Sequence, residues 1–532
     1  MLEATFLAYL PDPFHVGKSA YFILGDNRAI TVSAQQIATN RQPIICSGAS
    51  ELIEQLKQDG APLPHTIVDI EMARKLIVGL PKNEGSRKHW DTWAVLKRHS
   101  RDPSDLSVFK SIFTSQCDRD EVEETERLVV SYLLALREAW IDTCRLLKEE
   151  GEYERFTTLE LRTQQLLYHR QLKGIRIDSS ALSHQFEAIR NEKYVAYVRV
   201  ANALGVSPSG FTYRSVKNHL ADTELEEIAS SAEDVSSFER QLKLAAITSE
   251  LANDIVTLLR SDRELKTLSR LVGTSDRCFP EFSSVGTVTG RILVRDPYLQ
   301  GLRRSYRSVL APDPGYSLAY VDYDQFEPGI LASLSQDSKL IEQYNSGDLY
   351  TQLALTVFGS KEKRSDAKRI FISFLYGMSE QRIAELVARV SGKTSNRLMD
   401  QVRAFFRQYE QVAKFRTEMV ETLARDGRIG TALGGHRKRS GTGTLSRKEK
   451  RWALNQKIQG TSSLIFKEAL LAISDSVGED CILLPMHDAV LVQLKKGTVR
   501  KSKSSIKMAM EQVMADRCPG ILPKLSFERF AA

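Results

Sequence analysis

Apolar positions along the chain follow two rhythms. In residues 1–130, short β-rich runs (SAYFIL, QPIICSG, HTIVDI) alternate with runs of helical period (ASELIEQLKQ, EMARKLIVGL), a mixture that predicts an α/β domain. From about Glu121 to Arg270 the helical period dominates, in EETERLVVSYLLALREAWIDTCRLLKEE and FERQLKLAAITSELANDIVTLLRSDRELKTLSRLV. Two long helices with apolar faces predict an extended arm. The segment APDPGYSLAYVDY, residues 311–323, reads as a turn and a buried strand, with helix from about Pro328. Residues 361–430 are helical again, RIGTALGGHRKRSGTGT is a Gly-rich loop or hairpin, and another helix runs from about Arg447 to Ala472. CILLPMHDAVLVQL predicts two strands with a sharp break at Pro485 to Asp488, which leaves a carboxylate near a hairpin tip.

Composition narrows the class. The chain has 532 residues, 42% hydrophobic and 27% charged, enough for about three to five structural units of ordinary globular type. No apolar run approaches the ~18 residues of a membrane span. The start, MLEATFLAYLPDPF, lacks both a basic segment and a long apolar core, so no secretory signal is expected. Cys46, Cys117, Cys144, Cys278, Cys481 and Cys518 lie far apart with no CxxC, which argues against structural zinc and a disulfide framework. A cytoplasmic protein without membrane partners fits. The net charge of +7 says little, but Lys361 to Lys467 carries 24 Lys and Arg against 10 Asp and Glu. Such a local basic surface suits a polyanion.

The candidate chemistry starts with two aspartates. Asp322 in LAYVDYDQFE and Asp488 in LLPMHDAVLV each end or interrupt a short apolar strand. A carboxylate among apolar residues costs desolvation energy unless it meets a cation, and two brought together repel. A divalent metal resolves both problems. Between them, Arg364, Lys368, Ile372 and Tyr376 recur at i, i+4 spacing and form one helical stripe, cationic at one end and aromatic at the other. That surface suits a triphosphate at one end and a base at the other.

The order TGRILVRDPYLQ, VDYDQFEPGILASLSQD, KRSDAKRIFISFLYGMS, RWALNQKIQGTSSLIFKEA, PMHDAV resembles the polymerase part of the family A DNA polymerases, the bacterial DNA polymerase I group, across about residues 150–532. The resemblance implies a multidomain α+β and α/β protein: a right-hand polymerase of thumb, palm and fingers, preceded by a ribonuclease H-like, exonuclease-type domain. Its implied boundaries are 1–150 for a degenerate 3′-5′ exonuclease-like domain, 151–310 for thumb and start of palm, 311–355 for palm, 356–450 for fingers and 451–532 for palm. It further implies that Asp322, the carbonyl of Tyr323 and Asp488 hold two Mg²⁺ ions, with Mn²⁺ as a substitute. Arg364, Lys368, Ile372, Tyr376, Glu327 and Gln325 would meet the incoming dNTP. Lys368 would act as proton donor to pyrophosphate, and Glu327 as a steric gate against a ribose 2′-hydroxyl. Arg291, Arg451, Asn455, Gln459 and His487 would line the primer-template DNA, testing pair geometry in the minor groove. A plainer reading has Asn455 and Gln459 satisfy one another on a helix face. The implied protein is a monomer whose processivity partner is unspecified. Alternatives are a single-subunit RNA polymerase, which Glu327 argues against, and a non-catalytic DNA-binding relative.

Several positions depart from the family pattern. Ile372 stands where Phe or Tyr is usual, Ala489 where Glu follows the second aspartate, Tyr350 for a His, Gly329 for an Arg and Ser373 for a Gly. These suggest a divergent member, of phage or mobile-element type. Proofreading needs a DxE on the first strand, a later Asp, and Tyr-x-x-x-Asp. The one attractive DxE, Asp69 with Glu71, comes late, His65-x-x-x-Asp69 reuses the same Asp, and no Tyr-x-x-x-Asp occurs in residues 1–170. The domain is therefore expected to be inactive, and a 5′ nuclease domain has no room.

Overall fold

The computed structural model describes residues 3–11, 19–80, 86–114, 125–207, 216–231, 235–246, 248–272, 276–378, 380–391 and 396–531. Among the cysteines, Cys117 lies outside them. The chain divides into two compact units: residues 1–173, 281–294 and 315–528 form one, and 174–280, 295–314 and 529–532 the other.

The larger unit begins with a five-stranded sheet. β1 (Thr5–Leu10) pairs antiparallel with β2 (Ala20–Gly25), and β2 with β3 (Arg28–Val32). On its other side β1 pairs parallel with β4 (Ile44–Cys46), and β4 with β5 (Ile67–Asp69), giving the order β3-β2-β1-β4-β5. The parallel pair β4 and β5 needs a crossover, which the amphipathic helix Ala49–Gln58 supplies with Leu52, Ile53 and Leu56 buried. Helix α1 (Thr125–Glu149) places Leu133, Leu136 and Trp140 in one apolar cluster with Ala8, Leu10 and Ile45 of the sheet. The sequence pattern suggests that this helix builds an arm; its apolar face is spent on the N-terminal sheet instead.

The same unit contains a second sheet, of order β7-β8-β6-β9: β6 (Tyr316–Tyr323), β7 (Ile482–Met486), β8 (Ala489–Lys495) and β9 (Leu525–Glu528). β6 and β8 run antiparallel in register from Tyr316 opposite Lys495 to Asp322 opposite Ala489. β7 and β8 form the expected hairpin, but Pro485 sits within β7, opposite Val490, and the break is confined to His487 and Asp488. β7 is an edge strand, where the missing N–H of proline costs no ladder bond. After β6 come α2 (Phe326–Ser335), α3 (Leu349–Phe358) and α4 (Arg364–Leu375). The helical stretch 361–430 is thus several helices, with Gly377 at φ 78° after the first and Gly427 at φ 67° closing the last. Glycine is favoured at both because a Cβ is strained there. Helix α5 (Arg447–Val477) starts on a capping box, Ser446 with Glu449, and α6 (Val499–Arg517) buries Ile506, Met510 and Met514.

In the smaller unit, helices Ser179–Ala203 and Glu250–Ser269 pack lengthwise. The pattern that reads as one helix from Phe238 breaks before Ser249, whose side chain accepts from Ala252 N. Arg303 ties the pair through Glu192 at 2.5 Å and Glu264 at 2.9 Å.

Candidate functional site

The residues singled out in sequence come together around one end of β6. Asp322 is the penultimate residue of β6, opposite Ala489, so the hairpin turn that carries Asp488 lies against it; Tyr323 N donates to the Asp488 carbonyl at 3.3 Å. The turn is tight because His487 takes φ 65°, in the left-handed region. Burial, with Asp488 next and Asp324 after it, pushes the Asp322 carboxyl up to about 7. Asp488, exposed at the hairpin tip, is also raised, first by loss of hydration. Lys368 opposes both shifts. Oδ1 of Asp322 is buried and accepts no hydrogen bond.

That orphaned oxygen tests the donor set. Adjacent carboxylates whose charge is disfavoured by burial, one with an unmatched lone pair, suit a hard oxygen-seeking cation such as Mg²⁺. Among the described residues no three His, Cys, Asp or Glu side chains gather as a metal site. A pair of carboxylates fits a cation completed by water, a backbone carbonyl and substrate phosphates. The side chain of Tyr323 does not face this chemistry: its ring stacks on Phe326 at 4.4 Å and its hydroxyl donates to Met510 O at 2.7 Å, which anchors the strand end on α6.

Helix α4 carries Arg364, Lys368 and Ile372 as one stripe, and Tyr376 is its C-cap. Arg364 is engaged by Asp348 Oδ2, at 2.8 Å from Nε and 2.6 Å from Nη2. Tyr350 lies buried beneath the stripe, with Arg364 5.4 Å and Lys368 5.9 Å from its ring centre. Tyr376 donates its hydroxyl to Glu327 Oε2 at 2.5 Å, and Arg291 Nη2 donates to Glu327 Oε1 at 2.5 Å. Glu327 is therefore clamped from two sides, although burial raises its carboxyl above the usual range. Gln325 directs its side-chain oxygen away from this group, to Leu349 N at 2.9 Å, where it caps α3.

On α5, Gln459 neighbours the Tyr376 hydroxyl, Arg451 is exposed and Asn455 Oδ1 is buried without a hydrogen bond. The plainer reading, Asn455 and Gln459 satisfying one another, is not what this arrangement displays. His487 is exposed at the hairpin tip, its imidazole lowered by lost hydration and then by Arg291. Gly329 has a packing reason: a Cβ there would stand 2.9 Å from the Tyr344 ring. Ser373 bonds back to Arg369 O at 2.9 Å.

Sequence reasoning missed Asp348 and a buried ionic cluster of Arg155, Glu160 and Lys467. Lys467 and Glu160 are both 0% exposed. A lysine inside SSLIFKEAL, on the apolar face of α5, is the signal that could have exposed it. In the N-terminal sheet, β1 is TFLAYL, without a carboxylate. Asp69 ends β5 and caps the next helix, accepting from Glu71 N at 2.8 Å and Ala49 N at 3.0 Å. Glu71 pairs with Lys75 at 2.5 Å and His65 bonds Thr66 at 3.0 Å.

Comparison with known proteins places this arrangement. Over 99% of this chain and 94% of the other, the fold matches the structure described as "POL domain of Pol1 from M. smegmatis complex with DNA primer-template and dNTP", at a TM-score of 0.74 and 19% identity. The fold is that of a mixed α and β polymerase domain. The family described as DNA polymerase family A matches residues 221–519, and the chain belongs to that family. DNA polymerase I of Caldicellulosiruptor bescii is 25% identical over 452 residues, 77% of this chain and 51% of that relative. DNA polymerase I of Helicobacter pylori is 24% identical over 418 residues, 73% of this chain and 45% of the relative. DNA polymerase theta of Caenorhabditis elegans is 30% identical over 241 residues, 43% of this chain and 15% of the relative. The chain spans about half the length of the bacterial relatives it matches. Among the described residues no helix is long and apolar enough to cross a membrane.

Proposed function

We propose that this protein is a template-directed DNA polymerase that adds dNTPs to a primer 3′ end and releases pyrophosphate. The observation that carries the reading is the Asp322–Asp488 pair, with its orphaned oxygen, facing Lys368 on a cationic helix. Primer-template DNA and dNTP, with which the M. smegmatis domain is in complex, are the proposed partners. Asp322, Asp488 and the Tyr323 carbonyl would hold two Mg²⁺ ions, or Mn²⁺ in their place. Bound there, the metal lowers the pKa of the primer hydroxyl and offsets charge on the transferring phosphate.

The chain's own residues do the positioning. Arg364 exchanges Asp348 for the triphosphate, and Lys368 binds it and delivers a proton to the leaving pyrophosphate. Glu327, clamped by Tyr376 and Arg291, occupies the space a ribose 2′-hydroxyl needs. Ile372 packs near the sugar, Gln325 braces that wall through α3, and Arg291, Arg451, Asn455, Gln459 and His487 face the primer-template duplex. The proposed domains are those the resemblance implies, 1–150, 151–310, 311–355, 356–450 and 451–532. The order β3-β2-β1-β4-β5, with β2 antiparallel to both its neighbours and β1, β4 and β5 parallel, supports a ribonuclease H-like N-terminal domain. A first strand without carboxylates and Asp69 committed as a cap support the absence of proofreading.

The test is extension of a labelled primer with dNTPs and Mg²⁺. Extension that Asp322→Asn and Asp488→Asn abolish supports the proposal; extension retained by either variant refutes it. The same duplex without dNTPs tests the N-terminal domain, where primer shortening would contradict the inactive reading.

A further inference from the structure

We infer that Arg155, Glu160, Ser463 and Lys467 are positioning residues for nucleotide sugar selection, acting through the turn that carries Arg291. The inference rests on the polymerase reading above. Glu160 Oε1 accepts from Arg155 Nε at 3.0 Å and Nη2 at 2.7 Å, and Lys467 Nζ donates to Glu160 at 2.6 and 2.8 Å. Arg155 is 6% exposed, and Glu160 and Lys467 are fully buried. A buried ion cluster of this kind loses much of its attraction to desolvation and is weak support for stability alone. Its surroundings suggest another use.

The turn 286–291 rests on the cluster. Gly290 has φ 76°, and a Cβ there would stand 2.6 Å from Arg155 Nη2 and 3.6 Å from both Lys467 Nζ and Ser463 Oγ. Ser463 donates its hydroxyl to the Gly290 carbonyl. Gln456, seven residues before Ser463 on the same helix, donates to Val288 O at 3.2 Å and Gly435 O at 2.9 Å. Glu152, 1% exposed, accepts from Gly435 N at 2.8 Å and His436 N at 3.1 Å, fixing the neighbouring hairpin beside Arg155. The residue after Gly290 is Arg291, whose guanidinium holds Glu327. The opposite end of this linkage also meets α5, since Gln459 neighbours the hydroxyl of Tyr376, the second clamp on Glu327. One helix thus reaches both clamps. Because the clamp is direct while the cluster lies behind the turn, loss of the cluster should loosen Glu327 without removing any group from the nucleotide's reach.

The experiment measures dNTP and rNTP affinity in ternary complexes on a dideoxy-terminated primer, alongside the incorporation rates of each. Lys467→Met should lower the preference for the deoxy sugar about tenfold. Arg291→Ala should lower it at least as much, and the Lys467→Met effect should vanish when added to Arg291→Ala. Ser463→Ala, which removes one hydroxyl, should give a smaller loss of the same kind and serves if Lys467→Met does not fold. Unchanged sugar preference in the folded variant, or effects of Lys467→Met and Arg291→Ala that simply add, would overturn the inference while leaving the polymerase reading intact. A wild-type chain that neither extends primers nor binds dNTP overturns both.

Discussion

The five-stranded and four-stranded sheets of the larger unit each carry an aspartate at or next to the end of an apolar strand, and the two aspartates have opposite fates. Asp69 closes β5 with both oxygens occupied by backbone N–H groups, of Ala49 and Glu71. Asp322 stands next to last in β6 with one buried oxygen unmatched and Asp488 beside it. Burial raises both carboxyls, to about 6 for Asp69 and about 7 for Asp322. A shifted carboxyl therefore does not distinguish them; hydrogen-bond satisfaction does. In the first sheet the acid caps the start of a helix, and in the second one of its oxygens is left unmatched.

The largest contrast to break is catalytic. Asp322→Asn should reduce primer extension by at least about 10³-fold, whereas Asp69→Asn should leave it within about twofold, both measured by single-turnover incorporation. Comparable losses from the two variants would erase the distinction. Next comes Glu327→Ala, which should raise ribonucleotide incorporation relative to deoxynucleotide by roughly 10- to 100-fold in competition assays, because the carboxylate clamped by Tyr376 and Arg291 no longer fills the space. Asp69→Ala strips the acceptor from two N–H groups and should cost about 1–2 kcal/mol of stability by denaturant melt, with extension by the folded fraction preserved.

The smallest expected effect separates the two carboxyls by pH. Between about pH 4 and 7 the folded chain binds more protons at Asp322 than the unfolded chain does, so this group's contribution to stability falls as pH rises through that window. Asp69 behaves with the same sign up to about pH 6. A divalent cation replaces the proton only at the pair, so stabilisation by Mg²⁺, about 1 kcal/mol in thermal melts, should grow as pH passes 7 and disappear in Asp322→Asn. Mg²⁺ stabilisation that survives in that variant would place the cation elsewhere.

Much of this site is legible in the chain's order of residues. Local rules put Asp322 on a strand, Asp488 at a hairpin tip and Arg364, Lys368, Ile372 and Tyr376 on one face, because strand and helix periods fix side-chain direction within a few residues. The extent of the strand carrying Pro485 is not readable: the residue predicts a break, and only the edge position of β7 lets proline stay in the strand. Nor is the destination of α1, since an apolar face states that it will be covered and not by what. Gln325 illustrates the same limit: its sequence neighbours put it beside the site, yet its side chain turns to cap α3.

Which residues carry chemistry, and at what local spacing, follows from the amino-acid order, because period, turn preference and charge act over a few positions. Packing in three dimensions alone settles that Asp69 is satisfied while Asp322 is not, that Glu327 is held from two sides, and that Glu160 meets Lys467 across 307 positions of the chain. Those outcomes depend on which groups from distant segments share a desolvated space, and hydrogen bonds and charges take their value from that shared environment.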